Sequence, residues 1–202
     1  MAYFPFFTDL SGKEGLIVGG GTVALRKIEK LLPFGPSLTV CAAVLRPELR
    51  EMSALKLQLH SFTPDLLEGM AFVIAATDDR EVNHHVAACC RERGIPVNVV
   101  DDPDACTFLF PALVKHGDLT VGISTGGASP SAAVWVKERI EEILPERMDE
   151  ILACLAELRC RMREKGESCS GVYAAAFEAC IRLGRSLTDE EVNIVMKEKR
   201  LE

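Results

Sequence analysis

The stretch Leu16–Leu25, LIVGGGTVAL, decides the fold. An apolar run typical of a buried strand ends in three glycines, and a helix-forming segment follows them. Gly19, Gly21 and Ala24 have the spacing G-x-G-x-x-A at this strand-to-helix junction, which is typical of a dinucleotide-binding turn. Gly19 allows the tight turn, Gly21 lets a pyrophosphate approach the main chain, and Ala24 lets the helix pack closely on the strand.

The start of this helix is the predicted anion site. The N–H groups around Thr22 and Val23 have no partner inside a helix, so they would face the pyrophosphate. The alternative is a tight strand-to-helix turn that binds nothing.

The residue that usually holds the ribose is missing. An acidic side chain normally ends the second strand of such a fold, but here the corresponding stretch is Cys-Ala-Ala at 41–43. We therefore expect backbone groups near Ala43 and Val44 to hold the adenosine ribose. Arg46 lies nearby and would favour the 2′-phosphate of NADP, unless it is simply a surface arginine. The side chains alone do not determine whether the cofactor is NAD or NADP.

Strands and helices alternate through the first hundred residues. Apolar segments typical of strands cover 15–19, 38–41, 57–62, 71–76 and 97–100, and helical segments cover 22–32 and 81–93. This alternation predicts an α/β fold with a Rossmann-like, doubly wound parallel sheet. The expected strand order is 3-2-1-4-5, with right-handed connections.

The pattern changes after Asp101. Two extended segments at 107–115 and 119–124 predict a hairpin, and helices are expected at 131–144, at 148–165, at 172–183 and after a capping box at 188–191. A break is expected at 166–171. These patterns divide the chain into a dinucleotide-binding domain (1–105), a strand–helix region (106–146) and a small all-α C-terminal domain (147–202).

Composition excludes several classes of function. The formal net charge of −7 disfavours nucleic-acid binding, which needs a basic surface. No apolar run reaches the roughly 18 residues of a membrane span, and no signal peptide is recognisable, so we expect a cytoplasmic protein. The eight cysteines contain no C-x-x-C, and the four histidines have no metal-ligand spacing. We therefore expect no metal site and mostly buried, free thiols.

Five separated motifs carry a resemblance to a known family. In chain order they are YFPFF at 3–7 with the glycine loop after it, AATDD at 75–79, NVVDDP at 98–103, FP at 110–111 and ISTGGASP at 123–130. Over roughly residues 1–145 the chain resembles the precorrin-2 dehydrogenase and sirohydrochlorin ferrochelatase family of sirohaem synthesis. No methyltransferase domain follows these motifs, so we expect the stand-alone form.

The resemblance implies both a reaction and an assembly. Precorrin-2 would lose a hydride to NAD⁺ and become sirohydrochlorin, and some members then insert Fe²⁺. The implied architecture is a Rossmann domain, a dimerisation region and a small helical domain. The segment 107–124 would cross to a second subunit and give a homodimer.

The resemblance also assigns residues. Asp101 matches the acid that the family uses for both chemical steps, although Asp102 and Asp104 compete with it, and any of them could be an acid in an Asp-Pro turn. The positions that match the dinucleotide contacts are Thr22, Val23, Ala43 and Val44, to which we add Gly19, Gly21 and Thr77. Asn83 would shape the nicotinamide pocket or lie on a helix surface.

The substrate is a polycarboxylate and needs hydrogen-bond donors. The loop Thr125–Ser129 precedes a helix, whose first N–H groups would bind carboxylates. Thr125, Gly126, Gly127 and Ser129 are therefore the predicted substrate-binding residues, and a well-capped helix start is the alternative.

Three other functions stay open for the chain. They are a dehydrogenase without chelatase activity, a non-enzymatic NAD sensor, and an unrelated oxidoreductase with the same cofactor domain.

Overall fold

The computed structural model describes residues 4–164 and 170–198. The chain divides into two compact units, one ending at Phe110 and the other beginning at Pro111. The three-part division of the sequence, with boundaries after residues 105 and 146, stays a prediction.

The N-terminal unit is built on a parallel five-stranded sheet in the predicted order 3-2-1-4-5. Its strands are β1 (Glu14–Val18), β2 (Ser37–Cys41), β3 (Leu55–Gln58), β4 (Phe72–Ala75) and β5 (Val97–Val99). The central strand β1 pairs with β2 on one side and with β4 on the other. The carboxyl ends of these strands therefore meet at one edge, where ligands bind in such sheets. The predicted fold class is confirmed.

Helices cover both faces of this sheet: α1 (Thr22–Leu31), α2 (Pro47–Glu51) and α3 (Arg80–Glu92). Short 3-10 helices lie at Leu32–Phe34, Pro64–Leu67 and Pro103–Ala105. Alternate strand residues point to opposite faces, so Ile17 and Ile74 pack with α1 and α2 while Leu16 and Val73 pack with α3. Because both faces are covered, the central strands β1 and β4 contain continuous apolar runs, whereas the edge strand β3 alternates between half-buried and exposed residues.

Several segments differ from the sequence prediction. The third strand was expected at 57–62, but it covers 55–58, because its partner β2 ends at Cys41 and offers no ladder to later residues. The short helix α2 was not predicted. The first hairpin strand begins at residue 112 rather than 107, because Thr107 instead donates its N–H to the carbonyl of Val97.

The C-terminal unit contains a hairpin and four helices. These elements are β6 (Ala112–His116), β7 (Leu119–Ile123), α4 (Pro130–Ile143), α5 (Met148–Glu164), α6 (Ser170–Leu183) and α7 (Asp189–Glu198). Ile151, Leu158, Val172 and Val192 form the core of α5, α6 and α7. The predicted break at 166–171 lies mostly outside the described residues, and α6 begins two residues earlier than expected.

The cysteines of the described residues are free thiols. Cys41, Cys90 and Cys180 are buried, whereas Cys160 is exposed, and Cys169 lies outside the described residues. Among the helices in the described ranges, none combines the length and the apolar composition that crossing a bilayer requires.

The capping box at the start of α7 makes stability depend on pH. Glu191 binds Arg185 through two hydrogen bonds of 2.9 Å and accepts the N–H of Thr188 at 2.8 Å. These bonds, led by that to Arg185, lower the pKa of Glu191 from 4.5 to about 2. A carboxylate with a depressed pKa stabilises the fold above its unfolded pKa, and that contribution is lost as the pH falls through the folded value.

We therefore expect Glu191→Gln to lower the unfolding temperature at pH 7 and to lose this effect as the pH falls from 4.5 towards 2. Thermal unfolding followed by circular dichroism at a series of pH values measures the difference. The control is Glu190→Gln, an exposed neighbour on the same helix. A difference between wild type and Glu191→Gln that persists unchanged to pH 2 would contradict this account.

Candidate active site

The first two glycines of the loop are required by the fold itself. Gly19 has φ = +123°, and a Cβ on it would lie 2.3 Å from the carbonyl oxygen of Ala76. A Cβ on Gly20 would lie 2.3 Å from the carbonyl oxygen of Val44. The N–H of Gly19 also donates to the carbonyl of Cys41 at 2.9 Å. Glycine is therefore needed at both positions to let neighbouring main-chain segments meet, with or without a ligand.

Gly21 is different, because nothing in the protein requires a glycine there. It has φ = −90°, which other residues adopt easily, and a Cβ built on it would meet no atom within 4 Å. Gly21 immediately precedes α1, and the exposed Thr22 and Val23 form the first helical turn, which contains no acidic residue. The open space beside a helix N-terminus fits the pyrophosphate of a dinucleotide.

Next to this space lies an exposed apolar surface. Ala43 is exposed and Val44 is 80% exposed, although both follow a buried strand. Arg46 is also exposed, and its guanidinium donates to the Thr22 hydroxyl at 3.0 Å and pairs with Glu48 at 2.7 Å. The arginine therefore lies at the start of α1, and its charge is shared with a carboxylate.

Thr77 is held in place by Asn83. The Thr77 hydroxyl donates to Asn83 Oδ1 at 2.7 Å, and the Asn83 Nδ2 donates back to the Thr77 carbonyl at 3.0 Å. Asn83 is only 5% exposed, so its alternative reading as a helix-surface residue is wrong. The hydroxyl of Thr77 is already hydrogen-bonded within the chain. Thr77 could therefore contribute to a cofactor site mainly through the fixed position of its loop.

Asp101 has an unusual backbone conformation at the end of β5. It is exposed and has φ = +58°, which makes it the one non-glycine residue with a positive φ in 4–164 and 170–198. The preceding N–H of Val100 donates to the Ala75 carbonyl at 3.0 Å, so the turn is anchored to β4. Residues in such conformations are strained and cluster at functional sites.

The two competing aspartates are less suited to act as a base. Asp102 accepts the N–H of Ala105 at 3.1 Å and pairs with His84 Nε2 at 2.7 Å. The hydrogen bond from His84, followed by that from Ala105, lowers the pKa of Asp102 below its ordinary value. Asp104 lies exposed in the 3-10 helix that Asp102 caps. The Asp102 carboxylate is therefore committed to the turn, whereas Asp101 is presented to solvent.

Lys27 on α1 lies beside this turn, although the sequence reasoning did not select it. Its Nζ donates to Asn98 Oδ1 at 3.3 Å and lies 4.0 Å from the centre of the Phe110 ring. Burial is the largest cause that lowers the pKa of Lys27 to about 8. A lysine in an amphipathic helix is normally solvated, so the sequence carried no signal for this position.

The predicted substrate loop forms a capped helix start in the C-terminal unit. The Thr125 hydroxyl donates to the Ser129 carbonyl and accepts the Ser129 N–H, both at 3.1 Å. The Ser129 hydroxyl caps α4 by accepting the N–H of Ala132. Gly126 and Gly127 have positive φ values and face open space. Both hydroxyls are thus used internally, and the N–H groups of Gly126, Ala128 and Ser129 also donate within the loop. The open space beside Gly126 and Gly127 is what this loop offers to a ligand.

No three acidic, cysteine or histidine side chains converge as a metal site requires within the described part of the chain. The predicted cofactor-binding and catalytic residues lie in the N-terminal unit: Gly19, Gly21, Thr22, Val23, Ala43, Val44, Thr77 and Asp101. The predicted substrate loop, Thr125 to Ser129, lies in the C-terminal unit.

Two protein-family models match the chain. The model described as "Putative NAD(P)-binding" matches residues 6–112, and the one described as "Sirohaem biosynthesis protein central" matches residues 116–143. The chain belongs to the putative NAD(P)-binding family. This membership confirms the predicted class of cofactor, a nicotinamide dinucleotide, without choosing between NAD and NADP.

Relatives of this NAD(P)-binding chain include siroheme synthases. Those of Methylococcus capsulatus and Psychromonas ingrahamii are 44% and 40% identical over 167 residues, which is 81% of this chain. The chain spans about a third of the length of these relatives (35%). A solved structure titled "SirC, precorrin-2 dehydrogenase" superposes with a TM-score of 0.73 and 25% identity, over 99% of this chain and all of that one. The resemblance to the precorrin-2 dehydrogenase and sirohydrochlorin ferrochelatase family is confirmed.

The contrast between Gly20 and Gly21 gives a test of the cofactor site. We expect Gly21→Val to cost about 1 kcal/mol or less in stability, because only a helix-capping preference is lost. We expect the same variant to weaken NAD⁺ binding at least about a hundredfold, because the new side chain fills the space beside the helix N-terminus. Thermal unfolding and titration calorimetry measure the two effects.

The matched control is Gly20→Ala, which should destabilise the fold directly because its Cβ would lie 2.3 Å from the carbonyl of Val44. A folded Gly21→Val variant that binds NAD⁺ as tightly as the wild type would remove the pyrophosphate from this position.

Proposed function

We propose that this chain oxidises precorrin-2 to sirohydrochlorin with NAD as the electron acceptor. The observation that carries the proposal is Asp101, an exposed carboxylate in a strained turn at the carboxyl end of β5. Further support comes from the relatives, which are siroheme synthases, and from the similar structure titled as a precorrin-2 dehydrogenase. A bound NAD⁺ supplies the hydride acceptor.

The chain's own residues bind and orient the dinucleotide. The N–H groups of Thr22 and Val23 would bind the pyrophosphate beside the open side of Gly21. Ala43 and Val44, both exposed, would hold the adenosine. NAD rather than NADP is favoured because Arg46 already shares its charge with Glu48 in a 2.7 Å ion pair, which leaves less positive charge for a 2′-phosphate.

Asp101 accepts the proton. Oxidation of the reduced macrocycle removes a hydride and a proton, and a positioned carboxylate accelerates the removal of the proton. Because Asp101 is exposed and Asp102 is committed to His84 and to Ala105, the base is assigned to Asp101. The Thr125–Ser129 loop at the start of α4, where Gly126 and Gly127 face open space, is the site that we assign to the carboxylates of the substrate.

Iron insertion is the second reaction that we assign to this chain. The incoming Fe²⁺ is a substrate here, and the nitrogen atoms of the macrocycle are its ligands. The pyrrole N–H protons need an acceptor, and Asp101 can serve this step as well. The absence of a converging metal-ligand cluster among the described residues is compatible with such a role.

A homodimer is supported by the surface of α4. Val134, Trp135 and Ile143 are 49%, 60% and 79% exposed on this helix. Val134 and Trp135 are adjacent in the first half of α4, and large apolar side chains exposed together are a candidate protein interface. The dimerisation region 106–146 contains this helix, and sedimentation equilibrium of the chain tests the assembly.

The decisive variant is Asp101→Asn, which keeps the shape of the side chain and removes the base. We expect NAD⁺ affinity to stay within about twofold and the rate of NADH formation from precorrin-2 to fall by about 10² or more, the usual contribution of a general base. The assay is anaerobic incubation with precorrin-2 and NAD⁺, followed by NADH absorbance. Asp104→Asn is the matched control and should retain the wild-type rate.

The outcomes separate the alternatives. Unchanged turnover in Asp101→Asn would exclude Asp101 as the base, and NAD⁺ binding without turnover in the wild type would favour a sensor. Sirohydrochlorin and Fe²⁺ supplied anaerobically, with and without the protein, test iron insertion. A rate equal to the uncatalysed one would leave a dehydrogenase without chelatase activity.

A further inference from the structure

Two charged residues follow the strand end at which the usual ribose-binding acid is missing. In a dinucleotide-binding fold that acid holds the ribose 2′-hydroxyl of NAD, whereas a nearby arginine accommodates the 2′-phosphate of NADP. Here β2 ends at Cys41, and the uncharged Ala42 and Ala43 come directly after it. Arg46 and Glu48 come next along the chain as the charged groups that could discriminate between the two cofactors.

Main-chain contacts hold this segment against the glycine loop. The N–H of Arg46 donates to the Gly20 carbonyl at 3.0 Å. The carbonyl oxygen of Val44 approaches so closely that a Cβ on Gly20 would lie 2.3 Å from it. The Arg46 guanidinium reaches the first residue of α1, where Nη1 donates to the Thr22 hydroxyl at 3.0 Å. The guanidinium therefore lies beside the start of α1, next to the predicted dinucleotide site.

Glu48 binds the other edge of the same guanidinium. Its two carboxylate oxygens accept Nε of Arg46 at 3.2 Å and Nη2 at 2.7 Å. Arginine binds phosphate groups with the same two-pronged geometry. Glu48 thus uses the donors that a 2′-phosphate would need, and it adds a negative charge beside them. The side chains of Arg46 and Glu48 are 42% and 47% exposed, so a nucleotide from solvent can reach the pair.

We propose that Glu48 is the residue that makes this chain prefer NAD to NADP, because its carboxylate binds the Arg46 guanidinium in place of a 2′-phosphate and repels that phosphate. This inference rests on the proposed function, since it concerns the cofactor site assigned there. The sequence analysis considered Arg46 alone, which would favour NADP. The ion pair reverses that expectation, and Glu48 becomes the residue that determines specificity.

The strength of the pair suits this role. An exposed ion pair contributes little to stability, so removing its charges leaves the fold intact. The two cofactors differ only in the 2′-phosphate, and like charges close together disfavour binding. The effect of Glu48 should therefore be visible in the comparison of NADP⁺ with NAD⁺ and small in thermal unfolding.

Nucleotide binding tests the proposal without any substrate. Titration calorimetry with NAD⁺ and with NADP⁺ gives the ratio of the two Kd values. Glu48→Gln keeps the size of the side chain and removes its charge. We expect it to lower the ratio of the NADP⁺ Kd to the NAD⁺ Kd at least about fivefold, chiefly through tighter NADP⁺ binding, which is the size of one exposed charge interaction. High salt should reduce this gain by screening. Glu51→Gln, an exposed neighbour on α2, is the matched control and should keep the wild-type ratio.

A second substitution tests whether the effect acts through Arg46. Arg46→Gln introduced into the Glu48→Gln protein should remove the gain in NADP⁺ affinity, because the phosphate loses its partner. Arg50→Gln in the same background, an exposed arginine on α2, should leave the gain in place. A gain that survives Arg46→Gln would overturn the role of the pair.

A merely structural Glu48 gives a different result. Glu48→Gln would then weaken NAD⁺ and NADP⁺ binding alike and leave the ratio of their Kd values unchanged, which would overturn the inference. A wild type that binds NADP⁺ more tightly than NAD⁺ would also overturn it. The proposed function fails separately, if the wild type binds NAD⁺ but does not oxidise precorrin-2. An unchanged ratio in Glu48→Gln beside normal wild-type turnover overturns this inference alone.

Discussion

The close approach of main-chain segments at Gly19 and Gly20 is the constraint on which the rest of the N-terminal unit depends. At these positions the chain leaves β1 and passes within van der Waals distance of the carbonyls of Ala76 and Val44, where any side chain would collide. This contact brings the segments that follow β1, β2 and β4 together at one edge of the sheet. It also places the start of α1 beside the open space at Gly21, so the geometry that permits the fold also creates the candidate anion site.

Strain and burial are concentrated around Asp101. The left-handed backbone of this residue and the half-buried Lys27 are both unfavourable for stability. They are held in place by bonds that surround the turn, among them the Val100 N–H to the Ala75 carbonyl and the Asn98 amide to the Phe108 carbonyl. A turn maintained against its local preference in this way holds the Asp101 carboxylate exposed to solvent.

The neighbouring aspartates show why the types of residues in a motif do not fix their roles. The motif NVVDDP contains two adjacent aspartates, and the sequence alone does not determine which of them acts as the base. In the structure Asp102 caps the 3-10 helix and pairs with His84, which lowers its pKa, whereas Asp101 points to solvent. The difference comes from α3, which brings His84 to the turn from eighteen residues away.

The sequence by itself determined the sheet order, the glycine turn and the class of cofactor, because these depend on local patterns: apolar runs, glycine spacing and the alternation of strands and helices. The end of β3 was decided only by tertiary structure, because a strand stops where its partner stops. The burial of Asn83 and the position of Lys27 were also invisible in the sequence, since each depends on what packs against a helix face rather than on the residues along it. Long-range contacts determine which polar side chains are hydrogen-bonded or buried within the protein. These contacts distinguish Asp101, the candidate base, from its neighbours.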